Sequence, residues 1–331
     1  VSTIAIPKLK LVEILDKIKE SYLLVAPVRN QGILDFAVVK EAAEIELSND
    51  IAYKSPKEYL FPQVEKILRF TSEGGLTPSE EVPQTVLLGI KPCDLEAIKI
   101  MSAVFTTGKY IDTGFANRLE KTILVGLGCT EEKSACFCDE RTVDKALSKD
   151  CDVFLTDRGN YYAAEIFSQK GQKLLDGFCL EIINDGERVK EIQQGLLEIN
   201  AEENDLFNKI DWERLTEKCL GCGICTYICP TCHCFEFKDV VEKKGAVTRY
   251  KCWDSCMYPR FTLHASGHNP RESKQDRYRQ RVLHKYLYVK QNFGYTACTG
   301  CGRCIRSCPV GMNIHSVVKE INNILNVKGE N

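Results

Sequence analysis

The sequence predicts two parts in tandem: an α/β domain over residues 1–205 and a mainly helical, cysteine-rich domain over residues 206–331. Three observations predict this. Short β-branched runs alternate with helical patterns through the first part. Of the 18 cysteines, six fall in residues 1–205 and twelve in residues 206–331, so the chemistry changes where the pattern changes. One phrase, Cys-x2-Cys-x2-Cys-x3-Cys-Pro, is written twice, as CLGCGICTYICP at 219–230 and CTGCGRCIRSCP at 298–309.

The elements follow in order. KLKLVEILDKIKESY (8–22) has apolar residues at helical spacing. YLLVAPV, DFAVV, TVLLGI (85–90) and TILVGLG (122–128) are strand-like runs. PCDLEAIKIMSAVF after TVLLGI makes a βα unit with Asp94 near the helix start. DVFLTDRGNYYAAEI (152–166) reads as a hairpin turning at Asp157–Asn160. Residues 186–219 read as helical, with an acidic hinge near 202–205. From Cys219 onward strand signals fade, and an amphipathic helix is expected over His315–Val327.

The 331 residues suffice for one large or two ordinary domains. Hydrophobic residues at 44% and charged residues at 27% give the balance of a globular protein. A net charge of -2 exerts no overall pull on nucleic acid or an anionic membrane. No run of eighteen apolar residues occurs, so no membrane span is expected. VSTIAIPKLKLVEIL does not have the form of a secretory signal. Thiols two residues apart in such a chain favour metal over cystine, and a reducing, anaerobic cytoplasm is the expected location.

The repeated phrase carries the strongest chemistry. A [4Fe–4S] cube needs four thiolates converging from different directions. A tight loop supplies three, and in two-cluster ferredoxins the last Cys of each run ligates the other cluster. Applied here, Cys219, Cys222, Cys225 and Cys308 hold cluster 1, and Cys298, Cys301, Cys304 and Cys229 hold cluster 2. The second part then reads as a mainly helical, ferredoxin-like [4Fe–4S] dicluster domain with an insertion at 230–297. Zinc is the competing reading, since two CxxC pairs make a tetrahedral site. It leaves the third evenly spaced Cys and the Cys-Pro ending without a role.

Other cysteines form weaker groups. Cys93 follows the strand TVLLGI, and Cys129 follows TILVGLG, with Cys136 and Cys138 just beyond. Loops after parallel strands collect on one sheet edge, where ligands bind. Four thiols there suit a third [4Fe–4S] cluster or zinc; separate core cysteines are the alternative. Cys232, Cys234, Cys252 and Cys256 lie in the insertion and match no ligand spacing, so packing around a cube is the favoured reading for them. Cys151 and Cys179 read as structural. The run GHNPRESKQDRYRQRVLHKYLYVK (267–290) is basic. Its Arg and Lys suit an anionic cluster or an acidic partner better than RNA, and Lys274 and Arg277 also fit a solvated helix face. No complete GxGxxG, P-loop or GxSxG occurs, so no nicotinamide, ATP or serine-hydrolase site is expected.

KPCD, the C…CFC segment, CPTCHCFEFKD, WDSC, FTLHASGHNPR, RYRQRVLHK and the closing CTGCGRCIRSCP together resemble one family. It contains the iron–sulfur component of anaerobic sulfite reductase and the beta subunit of cytoplasmic sulfhydrogenases. The resemblance covers the chain from about residue 20. It implies an iron–sulfur subunit that relays single electrons between a flavin- and NAD(P)H-binding partner and a catalytic redox subunit. It also implies that Cys93, Cys129, Cys136 and Cys138 hold the third cluster. One departure is visible: CFC is followed by DERTVDKAL rather than the family's small-residue turn. Two rival functions stay open: a reductase acting itself on a small substrate through Cys232, Cys234 or Cys256, and a zinc-stabilised binding module.

Overall fold

A computed structural model describes residues 3–78, 81–131, 133–141, 143–144, 148–183, 197–242 and 245–327. The described strands in chain order are β1 (Thr3–Pro7), β2 (Leu23–Asn30), β3 (Ile33–Val38), β4 (Val64–Phe70), β5 (Leu76–Pro78) and β6 (Thr85–Ile90). They continue with β7 (Thr122–Leu127), β8 (Val153–Asp157), β9 (Tyr161–Ile166), β10 (Glu181–Ile183), β11 (Phe235–Val241) and β12 (Val247–Trp253). The chain forms two compact units, and neither is one continuous segment. The first comprises Val1–Pro62, Pro78–Ser134 and Thr142–Gln193; the second comprises Gln63–Thr77, Ala135–Arg141 and Gln194–Asn331.

The first unit is an α/β domain built on an eight-stranded sheet in the order β10-β1-β9-β8-β7-β6-β2-β3. Its centre is parallel: β2 pairs β6, β6 pairs β7, and β7 pairs β8. TVLLGI and TILVGL are buried at every residue, as strands covered on both faces must be. Pro92 at the first helical turn starts the helix Pro92–Thr106 directly after β6. Gly126 in β7 keeps the packing close, since a Cβ there would lie 2.6 Å from Phe154 and 2.9 Å from Leu95. β8 and β9 form the expected hairpin, with Gly159 in its turn at φ +81°. The helix Lys8–Lys19 lays Ile14, Leu15 and Ile18 into the core.

The second unit mixes helices with a four-stranded sheet in the order β11-β12-β4-β5. Its strands β11 and β12 lie in the insertion, where strand signals were expected to fade. FEFKDVV and VTRYKCW alternate, but charged residues dilute the pattern. Cross-strand pairing supplies what local hydrophobicity does not: Arg249 bonds Asp239 directly opposite, with two contacts of 2.7 Å. Of the expected helical stretch at 186–219, residues 186–196 lie outside the described residues. The rest holds two short helices, Glu203–Asn208 and Trp212–Thr216. The basic run forms the helix Lys274–Leu283, continues through a π turn at His284–Tyr288 and ends in Val289–Phe293. The last helix spans Ile314–Val327. Trp212, Tyr278, Val282, Tyr286, Ile314 and Val318 form the core, with Cys219, Cys225, Cys256, Cys298 and Cys304 packed against it. Among the described residues no helix is long and apolar enough to cross a membrane.

One ion pair ties the early hairpin into the second unit. Lys251 on β12 faces Glu65 on β4, 2.6 Å apart, with side chains only 3% and 4% exposed. Removing one member leaves a buried charge without its counter-ion. Lys251→Met should therefore cost about 3–5 kcal/mol in urea unfolding followed by circular dichroism, and Lys251→Met with Glu65→Leu should recover most of that loss.

Candidate metal centre

The two cysteine phrases fold alike because their glycines stand at matching places. In each, Cys-x-Gly-Cys-Gly turns through two left-handed residues: Gly221 and Gly223 at φ +68° and +77°, Gly300 and Gly302 at +67° and +71°. A short helix follows, Ile224–Tyr227 in the first and Arg303–Arg306 in the second. Such a loop turns three thiols toward one point, and only glycine adopts these angles without strain.

The structure gathers Cys219, Cys222, Cys225, Cys304 and Cys308 in the lining of one pocket. Met257, Tyr278, Met312 and Ile314 make its apolar wall, and Arg281 also lines it. Cys308, from the second phrase, thus lies with the three loop thiols of the first. Backbone amides point at two of these sulfurs: Gly221 N–H to Cys219 Sγ at 3.4 Å and Met312 N–H to Cys308 Sγ at 3.2 Å.

The other quartet lies deeper. Cys229, Cys298 and Cys301 all act electrostatically on Cys304, whose thiol burial pushes up to about 12. Cys229 is clipped to the start of the second phrase. The Lys285 ammonium donates to Cys229 Sγ at 3.0 Å, to Thr231 Oγ1 at 2.9 Å and to the Ala297 carbonyl at 3.0 Å. Thr231 donates to the same carbonyl at 2.7 Å. Burial alone would lower the Lys285 ammonium, but the sulfurs of Cys229 and Cys232 outweigh it and raise it above its usual range. A hydrogen bond from Cys232 drops Cys229 well below the ordinary thiol range, against burial and with help from Lys285 and Arg281.

Cys136 and Cys138 belong to the second unit and lie on its second phrase. Phe137 N–H donates to the Gly300 carbonyl at 2.9 Å, and Cys136 Sγ bonds the Cys301 carbonyl at 3.6 Å. Cys93 and Cys129 belong to the first unit, one just after β6 and the other two residues beyond β7. Both act on the buried Lys91 ammonium, which donates to the Ser48 carbonyl at 2.8 Å and which burial holds below its usual range. Cys232 bonds Cys229, Cys234 bonds Cys256, and Cys252 lies on β12 opposite Glu236. Arg277 is not on a solvated face: it is buried and donates to the Met257, Arg271 and Glu272 carbonyls.

The donor set fits an iron–sulfur cube. Five soft thiols from the two phrases line one pocket, and two buried polar atoms of the same unit, Arg281 Nη1 and Thr299 Oγ1, have no hydrogen-bond partner among the described residues. Sulfides of a cube accept such bonds. Among the described residues no three His, Cys, Asp or Glu side chains are grouped as ligands of a single metal ion. A cube instead takes each thiolate on a different iron.

Comparison with known proteins agrees in class. Residues 218–312 match the family of 4Fe-4S dicluster domains. The chain is 28% identical over 323 residues to sulfhydrogenase 2 subunit beta of Pyrococcus furiosus, covering 93% of this chain and 95% of that one. No solved structure matches. The match over residues 218–312 and the likeness along most of the chain are what the motifs lead one to expect of an iron–sulfur protein.

Sequence reasoning did not single out Lys285, Thr231 or the paired glycines. The glycines were visible, since both phrases place them alike. Gly302 is the more constrained: a Cβ there would lie 2.3 Å from the Ala135 carbonyl oxygen. Left-handed backbone and overpacking together predict that Gly302→Ala costs at least about 2 kcal/mol and lowers the iron bound per chain, measured by unfolding and iron assay. The crossed arrangement makes a second prediction. Cys308→Ser should abolish the same paramagnetic signal as Cys219→Ser, whereas Cys298→Ser abolishes the other.

Proposed function

We propose that this protein is an electron-transfer subunit relaying single electrons between a flavin- and NAD(P)H-binding partner and a catalytic redox subunit of hydrogenase or sulfite-reductase type. The observation that carries the reading is the pocket of the second unit that is lined by Cys219, Cys222 and Cys225 of one phrase and by Cys304 and Cys308 of the other. The match of residues 218–312 to 4Fe-4S dicluster domains and the likeness to a sulfhydrogenase beta subunit support it.

In this reading Cys219, Cys222, Cys225 and Cys308 hold one [4Fe–4S] cluster, and Cys298, Cys301, Cys304 and Cys229 hold the other. Each cluster supplies one-electron chemistry, at a potential anywhere from about -700 to +450 mV. The chain's own residues do the rest. Thiolates fix the iron, while the apolar wall of Met257, Tyr278 and Ile314 limits water. Cys222, Leu220 and Ile224 leave the first site open to a partner, with Leu220 65% exposed. The family resemblance implies a third cluster on Cys93, Cys129, Cys136 and Cys138, and the expected setting is cytoplasmic.

Iron assay of anaerobically purified protein tests the count. About twelve iron atoms per chain are expected for three clusters; about eight would remove the third, and a colourless, zinc-loaded preparation would remove all of them. Cys93→Ser should cost about four irons and spare the rest. Anaerobic co-purification should recover a flavoprotein with a nickel–iron or sirohaem subunit; recovery of neither would overturn the relay.

A further inference from the structure

We propose that Arg281 is a charge shared by both clusters and Lys285 a charge reserved for the second, so that one helix sets both reduction potentials. This rests on the two-cluster reading above.

The geometry is a register. Arg281 and Lys285 stand four residues apart on the helix that runs from Lys274 into the π turn. Cys225 and Cys229 stand four residues apart on the facing segment. Arg281 Nε donates to Cys225 Sγ at 3.1 Å, and its Nη2 donates to the Cys225 carbonyl at 3.1 Å. Lys285 donates to Cys229 Sγ at 3.0 Å. The two thiols belong to different quartets, so the helix lies against both.

Their reach differs. Arg281 lines the first pocket and is 3% exposed. Its electrostatic neighbours include Cys225 of the first quartet and Cys304 and Cys229 of the second. Its Nη1 is buried without a hydrogen-bond partner among the described residues, leaving a donor for a bound cluster's sulfide. Among the described residues Lys285 Nζ donates to Cys229, Thr231 and Ala297, all beside the proposed second quartet. Burial separates both cations from the screening of water, so each acts at close to full strength.

Reduction adds one electron to a cluster and makes or breaks no bond in the chain; Arg281 and Lys285 keep their protons. A fixed positive charge and a hydrogen bond to sulfur stabilise the reduced, more negative state and raise the potential. Removing Arg281 therefore lowers both potentials, and removing Lys285 lowers one.

The test is a redox titration of the full anaerobic chain, followed by electron paramagnetic resonance, with each signal assigned by Cys219→Ser and Cys298→Ser. Arg281→Gln should shift both midpoint potentials downward, and Arg281→Lys should restore much of the shift. Lys285→Gln should lower only the signal that Cys298→Ser removes. With iron retained, unchanged potentials in Arg281→Gln, or an equal shift of both in Lys285→Gln, would overturn the assignment. Should Arg281→Gln lose its iron, Lys285→Gln decides: a selective shift supports the proposal, and none overturns it. An unaltered chain without either signal would overturn the two-cluster reading, and this inference with it.

Discussion

The second unit depends on buried positive charge facing buried sulfur. Thiolates gathered away from water repel one another and lose their hydration, and burial accordingly pushes the Cys304 and Cys219 thiols upward. Arg281 and Lys285 offset this from inside the protein, each 3% exposed. Arg141 adds a structural contact from the 135–141 loop, its Nε donating to the Cys298 carbonyl at 2.9 Å. Without these cations the quartets would be costly to bury, and the apolar wall that shields them would work against ligation.

The same residues organise the local fold. Lys285 spends its hydrogen bonds joining Cys229, Thr231 and Ala297, which stand at the two ends of the insertion. Residues 230–297 can therefore leave the metal region, form β11 and β12, and return to the same point. The π turn at His284–Tyr288 lies where Lys285 and Tyr286 reach the second quartet, and such a turn is often found where a helix must re-aim side chains at a site.

Much of this was legible in the residues. The repeated cysteine spacing points to the 4Fe-4S dicluster domain that residues 218–312 match. TVLLGI and TILVGL announced the parallel centre of the first sheet by their continuous apolar character. What local pattern could not reveal was pairing across distance. β4 joins β12 through residues more than 170 positions apart, and nothing in VEKILRF states that partner. Nor could composition say which basic residue meets which sulfur: Arg277, Arg281 and Lys285 look alike in RYRQRVLHK, yet one bonds backbone carbonyls and two bond thiols.

The placement of β4 beside β12 also bears on the order in which the protein can be made. A ribosome adding about 5–20 residues per second needs roughly 10–35 seconds to travel from Phe70 to Val247. Throughout that interval the nascent hairpin presents an unmatched strand edge, with Glu65 lacking its lysine, while the first unit's two later segments, Pro78–Ser134 and Thr142–Gln193, emerge. Domain-by-domain maturation from the N-terminus is thus interrupted, and a chaperone that shields this early hairpin would act before any iron has a place to go.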